Sequence, residues 1–96
     1  MQIGLHDEAE ASYNEAIRIE PELTEAHNQL GALFMHLGYP EKAAPSFSKA
    51  VKTRPDYVKA LSNLGCALNE SGRNEEAITS FNKAIAIIIN TIIVSR

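Results

Sequence analysis

The chain has 96 residues, which is one domain at the short end of the usual range. Its 45% hydrophobic and 22% charged content is ordinary for a folded soluble protein, and a net charge of −3 gives no reason to expect a nucleic-acid partner, which normally goes with a basic stripe. The single cysteine, Cys66, excludes an intramolecular disulfide and fits a reducing, cytoplasmic setting.

The predicted elements follow in chain order. Residues 1–8 have neither a basic start nor an apolar run, so no secretory signal is expected. A first helix is predicted over 7–20, where Ala9, Tyr13, Ala16 and Ile17 recur at helical spacing before Pro21. Residues 1–25 hold seven acids against Arg18 alone, a balance of −6 that reads as a solvated face. A second helix is predicted over 24–37, with Leu30, Leu33, Phe34 and Leu37 in helical register and Gly38 as its stop. A third is predicted over 41–54, ending where Pro55 disfavours helical geometry in the residue before it. Pro45 falls inside that helix and predicts a kink or a late start. Residues 26–54 carry Glu41 against Lys42, Lys49, Lys52 and Arg54, a balance of +3.

Two more helices are predicted over 58–71 and 75–88, with Gly72 between them. Residues 85–94 are apolar on all sides, and the last helix is expected to run on toward Val94. No segment reaches the ~18–20 apolar residues of a membrane span; the nearest, 84–94, is interrupted by Asn90 and Thr91. No membrane partner is therefore expected.

The chain repeats itself every 34 residues. Gly4, Gly38 and Gly72 keep this spacing, as do Ala9, Ala43 and Ala77, then Tyr13, Phe47 and Phe81, then Ala16, Ala50 and Ala84. Residues 24–57 and 58–91 align without gaps, and a fixed period of this length marks stacked units that bury their apolar faces against one another. Small residues at Gly31, Ala43, Gly65 and Ala77 let the two helices of a hairpin approach, with Phe47 and Phe81 filling the space between.

These residues resemble the tetratricopeptide repeat family. His27-x-x-Leu30-Gly31-x-x-Phe34, Ala43-x3-Phe47 and Pro55 follow its pattern, with His27 where an aromatic usually stands. Leu61-x-x-Leu64-Gly65-x-x-Leu68 with Ala77-x3-Phe81 follows it again, and Ala9-x3-Tyr13 with Pro21 is similar to the second half of a preceding repeat. The resemblance implies an all-α fold of about five helices, in antiparallel helix-turn-helix hairpins stacked as a short right-handed solenoid. Its divisions are a half repeat over 1–23, repeats over 24–57 and 58–91, and an apolar tail over 92–96. The last repeat departs from the pattern, with Ile89 in place of the closing proline.

The resemblance also implies a non-catalytic protein–protein interaction module that binds a peptide or partner helix in a concave groove, with no cofactor. First helices of each repeat would line that groove. Its candidates are Asn28, Gln29, Met35 and His36, then Lys59, Ser62, Asn63, Cys66 and Asn69, beside Glu25, Ala32 and Glu70. Amides suit a peptide backbone because each offers a donor and an acceptor. Gln29 and Asn63 stand one repeat apart, similar to the amide ladder of O-linked N-acetylglucosamine transferases. The two-carboxylate clamp of chaperone-binding members needs several inward Lys and Arg residues; here Asn28, Ala32 and Asn63 stand there and only Lys59 is basic.

Other chemistry is sparse. No nucleophile motif, phosphate loop or paired carboxylate appears. His6, His27 and His36 have no pair one helical turn apart, so no metal site is expected. His27 is expected to pack in its hairpin with a ring nitrogen toward water, and Cys66 to be a buried, inert thiol beside the groove. The apolar tail predicts a homo-oligomer in which Ile88, Ile89, Ile92, Ile93 and Val94 cover an apolar end of another copy, such as the Ala9, Tyr13, Ala16, Ile17 face. Two alternatives to groove binding follow: a structural self-assembly unit, or the substrate-recognition fragment of a larger enzyme such as a glycosyltransferase.

Overall fold

The computed structural model describes residues 4–95. Its elements are five α-helices: α1 (Leu5–Ile19), α2 (Thr24–His36), α3 (Pro40–Thr53), α4 (Val58–Glu70) and α5 (Asn74–Val94). α2 pairs with α3 and α4 with α5 as antiparallel hairpins, α4 packs on α3, and α1 packs on α2. Stacking in one direction makes the molecule elongated, 53 × 30 × 18 Å.

The two hairpin turns are built alike because the glycines recur. Gly38 and Gly72 have φ of +85° and +83°, where a Cβ would be strained. In the first turn Gly38 N–H donates to Met35 O at 3.1 Å and Tyr39 N–H to Phe34 O at 2.8 Å. In the second, Gly72 N–H donates to Asn69 O at 3.1 Å and Arg73 N–H to Leu68 O at 2.8 Å. Both are Schellman caps, which satisfy the carbonyls a helix end leaves free. Gly4 shares the spacing but not the conformation: its φ is −63° and α1 begins at the next residue. The turns between repeats also match. Leu23 N–H donates to Glu20 O and Tyr57 N–H to Arg54 O, both at 3.1 Å, with Pro21 and Pro55 second in each turn.

One core runs through the stack. Leu30, Phe34, Ala43, Ala44, Phe47, Leu64, Ala67, Leu68 and Ala77 form a single buried cluster. A Cβ on Gly31 would sit 2.6 Å from Phe47 Cε1, and one on Gly65 2.6 Å from Phe81 Cε1. The small residues of one helix thus admit the aromatic ring of its partner, in both repeats. Polar links lock the hairpin ends. Thr53 Oγ1 donates to Ala50 O at 3.0 Å, so Thr24 Oγ1 donates to Thr53 Oγ1 at 2.6 Å, joining the start of α2 to the end of α3.

Four expectations are corrected. α3 has no late start, since it runs unbroken from Pro40 through Pro45. Pro45 is exposed, and one missing N–H is outweighed by the burial of Ala43, Ala44, Phe47 and Ala50 around it. His27 is buried, and its Nε2 donates to the Pro21 carbonyl at 2.8 Å instead of facing water. Ala9, Tyr13, Ala16 and Ile17 are not an open face; all four are half-buried, and Tyr13 and Ile17 pack against the core. The large exposed apolar residues of α1 are Leu5 and Ile19 instead.

The fourth correction concerns α5. The tail joins the repeat helix without a break, giving a 21-residue helix in which an 18-residue stretch has a mean hydropathy of 1.7, long and apolar enough to cross a membrane by length and composition. Its first half is committed to the hairpin, where Ala77, Ser80 and Ala84 are buried. What remains, 85–94, is ten residues or about 15 Å, half of a bilayer core.

Candidate functional site

α2 and α4 are equivalent helices of successive repeats, and they touch directly. On α2 the exposed residues are Glu25, Gln29, Ala32 and His36, spaced four, three and four apart, which is one helical stripe. The same stripe recurs 34 residues on as Lys59, Asn63, Cys66 and Glu70, with Asn63 half-buried and the others exposed. The inward neighbours Leu30, Phe34, Leu64 and Leu68 enter the core, which is what turns these stripes outward.

The predicted groove residues separate into three groups. Gln29, His36, Lys59, Cys66 and Asn69 are exposed, while Met35, Ser62 and Asn63 are half-buried. Asn28 is buried at 4% exposure, and its Oδ1 accepts a hydrogen bond from Asn63 Nδ2 at 3.3 Å. The Asn28 amide therefore ties one repeat to the next beneath the surface. Asn63 keeps its Oδ1 for other donors, and Gln29 holds the equivalent position on α2. Cys66 is exposed, against the expectation of a buried thiol. It occupies the outward register of Ala32, whereas Gly65 and Ala67 on either side of it are buried.

The electrostatics of this surface are mixed, with Glu25 and Glu70 against Lys59. A separate cleft of about 360 Å³ opens among α3, α4 and α5, lined by Ala44, Pro45, Leu64, Leu68 and Arg73 among others. It was not foreseen; the signal was Pro45 among small residues on an outward face. At its rim Arg73 donates to both carboxylate oxygens of Glu76 at 2.8 Å. These bonds hold the Glu76 carboxyl below its ordinary value. Their contribution is present above the ordinary carboxylate range and is lost as pH falls through the lowered folded-state value.

Two hairpins with equal caps, equal glycine–phenylalanine contacts and a 34-residue register match the tetratricopeptide repeat over residues 1–56 and again over 28–90. The chain belongs to the tetratricopeptide repeat family. Among solved tetratricopeptide-like structures, a crystal structure of MamA superposes with a TM-score of 0.87 at 23% identity, over 94% of this chain and 53% of that one. Another MamA structure, AMB-1 C2221, gives 0.79 at 27% identity, over 85% and 48%. The second TPR of Spaghetti (RPAP3), bound to the HSP90 peptide SRMEEVD, gives 0.82 at 19% identity, over 88% and 78%. The MamA structure at 23% identity and the Spaghetti repeat share the fold. This chain spans about half the length of the MamA chains. No curated protein matches the sequence.

Proposed function

We propose that this tetratricopeptide repeat chain is a protein-interaction module whose α2 and α4 stripes bind an extended peptide of a partner protein. The observation that carries this reading is the pair of matched outward stripes, Glu25, Gln29, Ala32 and His36 on α2 and Lys59, Asn63, Cys66 and Glu70 on α4. Gln29 and Asn63 would hold the peptide backbone, each amide supplying a donor and an acceptor, while Ala32 and Cys66 leave room for side chains. The Spaghetti repeat is bound to a peptide ending in Glu-Glu-Val-Asp. With Lys59 the only Lys or Arg in these two stripes, a strongly acidic peptide is a poor match here.

Peptide display against the intact chain tests this reading. Selected peptides should lose about tenfold or more in affinity for Gln29→Glu/Asn63→Glu, since two new carboxylates repel backbone carbonyls and desolvate poorly. Peptides that bind both proteins equally would remove the groove from the account.

A second reading rests on the far end of α5, where Ile88, Ile89, Ile92, Ile93 and Val94 are 44–82% exposed. Five large apolar side chains on one short segment form a patch of the kind that marks an interface. Because α2 already covers the inner face of α1, the acceptor in a second copy would be its own α5. Light scattering at micromolar concentration should then give a dimer that Ile88→Lys/Ile92→Lys converts to monomer. A folded monomer with the tail intact would count against self-association.

A further inference from the structure

We propose that His6 and His36 form a two-imidazole site for a divalent transition ion of the zinc type, fastening α1 to α2. The rings lie on different helices, thirty positions apart in sequence, with centroids 5.0 Å apart and planes at 48°. Zinc binds imidazole nitrogen at about 2.0–2.1 Å, which puts the ion about 3.2 Å from each ring centroid. Two rings sharing one tetrahedral ion then have centroids about 5 Å apart. Both side chains are exposed, so the ion enters without disturbing the core and water completes its coordination.

The surroundings favour this chemistry. His36 is the last residue of α2, where the negative end of the helix dipole attracts a cation. Asp7, Glu8 and Glu10 on α1 add an attractive field. Among the described residues no group of three or more His, Cys, Asp or Glu side chains is placed to hold a metal. The site is thus a two-donor one, and imidazole selects zinc, nickel or copper over calcium or magnesium.

The site would act where the fold is weakest. α1 has no fully buried residue. An ion held by both helices in the folded chain, and by neither pairing in the unfolded one, stabilises the docked state by mass action. Tag-free protein titrated with zinc chloride tests the proposal by calorimetry and thermal unfolding. The expected result is one ion per chain and a Tm rise of roughly 6–11 °C at free zinc tenfold above Kd. His6→Ala and His36→Ala should each weaken binding about a hundredfold or more and abolish the rise, as should the polar variant His36→Gln. Cys66→Ser should change neither. No rise, a rise that survives loss of either histidine, or a rise lost with Cys66 would overturn the proposal.

Discussion

Phe47→Ala should lower the unfolding free energy by about 3–5 kcal/mol, a large share of the roughly 5–14 kcal/mol expected for a chain of this size. Phe47 is 1% exposed and sits in the cluster that joins both hairpins. Truncation removes the ring's transfer free energy and leaves a cavity among Leu30, Phe34, Ala43 and Ala44 that helices held by caps cannot collapse to fill. Phe81→Ala, at the equivalent position, should cost less. Its ring is half-buried because α5 has no further helix packed beyond it among the described residues. Urea unfolding followed by circular dichroism measures both variants. Equal costs would mean that the stack does not thin toward α5.

Gly31→Ala should cost about 1–3 kcal/mol, the reverse of the usual gain from replacing glycine in a helix. The new methyl would meet Cε1, Cδ1 and Cζ of Phe47 at 2.6–2.9 Å, and that ring is packed on every side. Phe47→Leu in the same chain should recover part of the loss, because the smaller side chain vacates that space. A double-mutant cycle reads the coupling directly. If Gly31→Ala stabilises the protein, the close helix approach is wrong.

Both predictions rest on features that were legible in the sequence. The recurrence of Gly31, Gly38, Ala43 and Phe47 at Gly65, Gly72, Ala77 and Phe81 carries the hairpin, its cap and its helix contact, because each is a local requirement of one repeat. The continuation of α5 was legible too, since Ile89 stands where a proline would end the helix. Features that depend on neighbouring repeats were less so. Gln29 and Asn63 share a register, yet Asn63 bonds to Asn28, one residue off that register, because adjacent helices are offset as they stack. His6 and His36 meet only through the docking of α1 on α2, which no spacing rule along one helix anticipates. Cys66 illustrates a different limit. Cysteine is usually buried, but a position on a helix face overrides residue type.

The α2 and α4 stripes proposed to bind a peptide are placed by this same stacking, so the contact between small residue and ring is the point to measure. Nuclear Overhauser spectra of the intact chain should show the Gly31 α-protons against the Phe47 ring and the Gly65 α-protons against the Phe81 ring, one pattern seen twice. Cross-peaks in neither repeat, or in one alone, would contradict a solenoid whose units are built and stacked alike.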